Sequence, residues 1–235
     1  MKQTPIRESE LPEYTKREEI FNMVSHIVGG ALAIAAFVLC VIMAAIHKNT
    51  WGVVSGAIYG ASLIILYTMS SLYHGLPRGT AKRVFRIIDH CSIFLLIAGT
   101  YTPYMLGALR NYRPGLAWTI FGVIWGAAVV GVILNSINLK KFKLFSMICY
   151  IAMGWCIVTV LRPMIQYFAP GYLILLYSGG IAYTTGAVLY GISKKKNIRY
   201  MHSVFHLFVL AGSILHFFSY YTSCEISTSY STRFL

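Results

Sequence analysis

Acidic side chains are scarce in this sequence and, past its first nineteen residues, almost missing. Of seven Asp and Glu residues, Glu8, Glu10, Glu13, Glu18 and Glu19 crowd the start, and only Asp89 and Glu225 follow. Charge of either sign is rare, at 11% of 235 residues against 57% apolar. That balance excludes an ordinary soluble domain, in which about a quarter of residues are charged. No C-x-x-C occurs among the five cysteines, which removes the usual dithiol metal or redox motif. Cys40, Cys149 and Cys156 lie in apolar stretches and read as small buried hydrophobes, while Cys224 has no obvious partner. Cys91, close to Asp89, is a weaker metal candidate than the imidazoles discussed below. No short apolar region with an A-x-A-like exit follows the charged start, so it does not read as a cleaved signal. No internal repeat stands out, which argues against a secondary transporter of the inverted-repeat kind.

What is present is apolar sequence in long blocks: Met23–Ile46, Trp51–Tyr73, Ile87–Leu109, Leu116–Leu134, Leu144–Val160, Tyr172–Ile192 and Val204–Tyr221. Each approaches the ~20 residues that a helix needs to cross a bilayer. The expected architecture is all-α, a polytopic membrane protein of seven transmembrane helices joined by short connections that pack neighbours antiparallel. Residues 1–19 read as an N-terminal segment, 20–221 as the membrane domain and 222–235 as a polar tail. Thr15 and Glu18 form a T-x-x-E capping box that starts a helix running into the first span; residues 1–12 read as loose, or as an interfacial helix. The fifth and seventh blocks are short. Gly29-Gly30, Gly56 with Gly60, Gly122 with Gly126, and Gly179-Gly180 are expected to allow close helix approach. The run Gly99–Pro103 reads as packing and a bend.

The net charge of +13 is not a nucleic-acid signature, because the basic residues sit in short clusters between apolar blocks. Fifteen of the twenty Lys and Arg residues fall in the N-terminal segment and in the second, fourth and sixth loops. By the positive-inside rule those regions are expected in the cytoplasm, with the N-terminus inside and the C-terminus outside.

This orientation gathers the polar residues into one layer. His74 ends the second span, Asp89 begins the third, and His202 and His206 open the seventh, all on the expected inner side. His202 and His206, four apart, project from one helix face, and with His74 they offer three nitrogens to one metal. A fourth position open to water is the arrangement of a catalytic zinc site, and Asp89 would accept that water's proton. Plain alternatives stand beside this reading. An H-x-x-x-H pair also occurs as two interfacial histidines, and an acid at a helix N-terminus gains from the helix dipole without a metal. Asp89 could instead pair with Arg83 or Arg86. His26, one turn beyond Asn22 on one face, reads as a support behind the metal ligands, as a substrate contact, or equally as a helix-packing hydrogen bond. His90 points about 100° away from Asp89 on the helix. His216, about 15 Å deeper than His206 by helical rise, cannot share the site, and His47 falls in an outer loop.

Four segments carry a resemblance: N-x-x-S-H-x-x-G from Asn22, S-x-x-x-H from Ser70 to His74, D-H-C-S-I-F-L-L-I-A-G-T-Y-T-P from Asp89, and H-S-V-F-H-L-F-V-L-A-G-S-I-L-H-F from His202. Together they resemble the hemolysin III proteins, the bacterial branch of the progestin and adipoQ receptor family, which includes the adiponectin receptors. The resemblance implies a seven-helix bundle with a zinc ion near the inner leaflet, held by His74, His202 and His206. It implies a water linking Asp89 to that zinc, with Ser70 nearby. It also implies hydrolysis of a lipid acyl amide or ester, of the ceramidase type, and a role in membrane homeostasis. Membrane lipid is then the partner. Ser70 would hold Asp89 or stabilise an oxyanion, unless it is a helix-packing serine. A non-enzymatic, zinc-stabilised sensor of lipid state is the alternative. A cytolytic pore, suggested by the family name, lacks the polar stripe that a pore lining needs. The short N-terminal segment argues against a hormone-receptor role.

Overall fold

The computed structural model describes residues 10–196 and 198–231, except the side chains of 194–196 and 222–231. Among the described residues there is no strand, and seven helices are long and apolar enough to span a membrane. They are α1 (Lys16–Ile46), α2 (Thr50–Gly75), α3 (Thr80–Asn111), α4 (Pro114–Asn138), α5 (Lys143–Tyr167), α6 (Pro170–Lys196) and α7 (Met201–Ser231). The expected ends of the N-terminal segment and tail, residues 1–9 and 232–235, lie outside the described residues.

Local chemistry sets the helix starts. Thr15 Oγ1 accepts from the Glu18 amide at 3.2 Å, and the Glu18 carboxylate accepts from the Thr15 amide at 2.8 Å, closing the expected capping box. Asn49 Oδ1 accepts from the Gly52 amide at 2.8 Å to begin α2. Pro114 and Pro170 occupy first helical positions, where a missing N–H does no harm. α2 stops at Gly75 because Leu76 precedes Pro77 and is held extended.

Most helices outrun the hydropathy blocks, because helices continue into polar sequence where the backbone has no better partner, and three of these ends bear on the site and its cavity. α3 starts at Thr80, so Asp89 lies more than two turns inside the helix. The helix-dipole explanation for Asp89 therefore does not apply, since that effect fades within the first turn. α5 reaches Tyr167 through a tighter 3₁₀ stretch at Cys156–Val160, and α7 starts at Met201. At the expected bend, Pro103 opens a wider π-helical stretch, Pro103–Ala108.

Two apolar clusters build the bundle. One joins α1, α2 and α7 through Ala33, Ala36, Tyr59, Leu63, Tyr67 and Val209. The other joins α3 to α6 through Phe94, Met105, Ile124, Met153, Val160 and Leu176. Small residues line the contact face of α1, and a side chain at Gly29 would meet the Tyr67 ring at 2.5 Å. Gly60 is likewise closed in by Phe37, as expected for close helix approach. Gly122 and Gly126 have open space where their side chains would be, so they do not mediate a helix contact. The opposite face of α1 exposes Val24, Ile27, Leu32, Ile34, Val38 and Ile42, as a lipid-facing surface must.

Between the clusters lies a cavity of about 240 Å³, walled mainly by α3, α5, α6 and α7. It reaches from Asp89 to Tyr104 on α3, fifteen residues or roughly 22 Å of helical rise. That exceeds the hydrocarbon depth of one leaflet, half of a core ~30 Å thick.

Candidate metal centre

At the basic end of the bundle, where the second, fourth and sixth loops lie, three imidazoles converge. His74 ends α2, and His202 and His206 share one face of the first turns of α7. The Nε2 atoms of His202 and His74 are 3.2 Å apart, and those of His206 and His202 are 3.1 Å apart. The ligand nitrogens of all three lie within 4.8 Å of one another. Nitrogens about 2.0–2.1 Å from a tetrahedral zinc stand about 3.3 Å apart, so the spacing suits that ion. Three imidazole nitrogens this close need a shared cation or proton to be stable together.

The orientation of His74 is held by a residue that hydropathy reading used only as a boundary. Glu19 Oε2 accepts from His74 Nδ1 at 2.6 Å, which leaves Nε2 free to face the other two imidazoles. Glu19 Oε1 lies 3.0 Å from Lys82 Nζ. Lys82 is itself buried and donates to the Leu76 and His74 carbonyls at 3.0 and 3.3 Å. The lysine neutralises the carboxylate, so a carboxylate–histidine pair can sit in a poorly hydrated place. One sequence signal pointed to Glu19: with Asn22 and His26 it sits at positions i, i+3 and i+7, on one face of α1.

The chain before α1 covers this layer. The Tyr14 ring stacks on His202 with centroids 5.1 Å apart and planes 11° off parallel. Burial raises the Tyr14 phenol well above its ordinary pKa, so it stays neutral there. The Glu18 carboxylate accepts from the Tyr200 amide at 2.8 Å, tying the start of α1 to the start of α7. Arg86 donates to the Glu10 carbonyl at 2.6 Å. Glu10, within the stretch expected to be loose, is thus tied to α3.

Asp89, Ser70, His26, His202 and His206 line the basic end of the same cavity. The ion-pair contact of Asp89 is with His90, Oδ2 to Nδ1 at 3.5 Å, although helical rotation alone turns these neighbours apart. Ser70 is buried on the cavity wall, one turn before His74. Cys91 faces α4 instead, toward the Val132 carbonyl and Ser136, so it does not approach the histidines. His216 lies near the far end of the cavity, where its Nδ1 is 3.2 Å from the Tyr104 hydroxyl. His47 bonds the Met43 carbonyl at the end of α1.

A membrane-spanning seven-helix bundle with a buried three-histidine centre at one end is the class of protein that fold and site define. Residues 14–217 match the model of the family described as Haemolysin-III related, and the chain belongs to that family. It is 38% identical to "Hemolysin-3" of Bacillus cereus over 86% of this chain and 90% of that protein. It is also 38% identical to the "Hemolysin-3 homolog" of Bacillus subtilis (strain 168), over 87% and 93%. The human "Monocyte to macrophage differentiation factor" is 26% identical over 80% of this chain and 78% of its own length. No solved structure matches significantly. Family and helices together make this a multi-pass membrane protein of the bacterial type.

Proposed function

We propose that this protein is a zinc-dependent hydrolase that cleaves the acyl amide or ester of a membrane lipid at the inner leaflet and so adjusts membrane lipid composition. The observation that carries the reading is the convergence of three Nε2 atoms at one end of a long, largely apolar cavity that also holds a carboxylate, Asp89. The basic end faces the cytoplasm in this reading, following the Lys and Arg bias of its loops.

His74, His202 and His206 would hold the ion. Zinc, when bound in such a site, would supply Lewis acidity and lower the pKa of a bound water to about 7. Asp89 accepts the proton of the attacking water, and it then returns that proton to the leaving amine or alcohol. Glu19 keeps His74 in the tautomer that presents Nε2. Ser70 orients Asp89 or donates to the developing oxyanion. The apolar wall from Ile93 and Leu96 to Leu176 and Val209 takes the acyl chain and keeps bulk water out.

The test combines metal analysis with turnover. Purified protein carrying one zinc should release fatty acid from N-acyl or O-acyl lipids. Asp89→Asn should abolish release while zinc remains bound. Equal turnover with and without zinc would sink the hydrolase reading. A zinc-loaded Asp89→Asn protein with full cellular function would favour the non-enzymatic lipid sensor, in which the metal ties α2 to α7.

A further inference from the structure

We propose that His26 of α1 is a substrate-binding residue, donating a hydrogen bond to the carbonyl oxygen of the long-chain acyl lipid in the cavity. The inference rests on the lipid-hydrolase reading above and adds a recognition element to it.

His26 is 3% exposed, and neither of its ring nitrogens has a hydrogen-bond partner. It lies on the cavity wall with Ser70, Asp89, His202 and His206. Its ring is nearly parallel to that of His206, with centroids 3.7 Å apart and planes at 20°, and the Tyr67 ring stands nearly perpendicular to it at 5.1 Å. Those ring contacts fix the imidazole in its slot on the cavity wall without giving either nitrogen a hydrogen-bond partner. A helix-packing hydrogen bond, the plain explanation for a histidine here, is therefore absent. A phenylalanine would fill the same slot and stack on His206 without burying two unsatisfied polar atoms. Buried polar groups without partners are rare, and a binding or catalytic role is among the usual reasons.

The chemistry of the slot narrows the partner. His26 is outside the three-nitrogen group, so it is not needed as a ligand. A neutral imidazole offers one N–H donor and one acceptor. An acyl carbonyl offers only an acceptor, and a chain threaded along an apolar cavity brings that acceptor to the polar end. The match is donor to acceptor, beside the residues that would carry out hydrolysis. A neutral imidazole in such a position polarises a carbonyl in the ground state and holds the oxygen more strongly as negative charge develops.

The experiment uses purified full-length, zinc-loaded protein and two chains that cannot be hydrolysed, 2-hexadecanone and hexadecane. Each displaces a pyrene-labelled alkyl chain, and the ratio of their affinities measures carbonyl recognition without turnover. Wild type should prefer the ketone. His26→Phe should lower that preference roughly three- to tenfold, the range of one neutral hydrogen bond. It should keep its zinc and melt no lower than wild type, because an apolar ring removes an unsatisfied group. His26→Gln, which retains a donor, should keep more of the preference. If His26→Phe does not fold, His26→Leu against His26→Gln makes the same comparison. A preference unchanged in the apolar variant overturns the proposal. So does a loss accompanied by loss of zinc, which would make His26 a support for His206. A wild type that does not distinguish the two chains would overturn the lipid-acyl reading as well, whatever the His26 variants do.

Discussion

The two ends of the cavity are both polar, and they are polar in opposite ways. Toward the far end, in the packing beside the cavity, Ser213 Oγ is shared by the hydroxyls of Tyr67 and Tyr183, each at 2.8 Å. Tyr59 donates to the Ser213 carbonyl at 3.2 Å, and Tyr104 bonds both Nδ1 and the carbonyl of His216. Within this cluster every tyrosine hydroxyl has a partner, and four tyrosines from three helices clasp α7. At the basic end imidazole nitrogens meet imidazole nitrogens, His26 has no partner at either nitrogen, and the charges are Glu19, Lys82 and Asp89. A buried polar cluster that closes on itself is packing; one that leaves lone pairs converging is built for something that binds.

The contrast can be broken at either end. Replacing His74, His202 and His206 together by alanine should have the largest effect. Zinc measured by mass spectrometry should fall from near stoichiometric to background, and the zinc-dependent part of the melting temperature should vanish. Glu19→Gln comes next. It should weaken zinc binding by roughly ten- to a hundredfold in a chelator competition, as expected when the carboxylate behind a ligand histidine is lost. At the other end, Ser213→Ala should leave zinc content unchanged and destabilise the protein by about 1–3 kcal/mol in a denaturation assay, because two tyrosine hydroxyls lose their hydrogen-bond partner. Tyr104→Phe should cost about 1 kcal/mol by the same measurement, one hydrogen-bonding group being removed. If Ser213→Ala released zinc, the two ends would be coupled and the distinction drawn here would fail.

Much of the centre was legible in the sequence because its signals are local or periodic. The i, i+4 spacing of His202 and His206 survives in any helix. The ends of apolar blocks put His74 and Asp89 at the same level. Glu19 was passed over for a physical reason. It sits where a charged N-terminal segment meets the first span, and hydropathy treats such an acid as solvated. Its partners, His74 and Lys82, lie 55 and 63 residues away along the chain, and no local pattern announces that they meet. The place of Asp89 along its helix was misjudged as well, since hydropathy cut α3 at Ile87 whereas the helix begins at Thr80. Arg83 and Arg86 interrupt the apolar run without interrupting the backbone hydrogen bonding. Small-residue pairs were legible only in part, for Gly60 meets a neighbouring helix and Gly122 does not.

The sequence by itself determined the class of fold. Seven apolar blocks in a bilayer have no way to satisfy their backbones except as helices, and the spacing of histidines along those helices follows from the residue order. Tertiary structure alone decided which nitrogens face one another, that Glu19 and Lys82 stand behind His74, and that His26 keeps its polar edge unpaired. Those facts depend on the rotation and tilt of each helix about its axis. Side-chain packing between helices sets both, and linear order leaves them free.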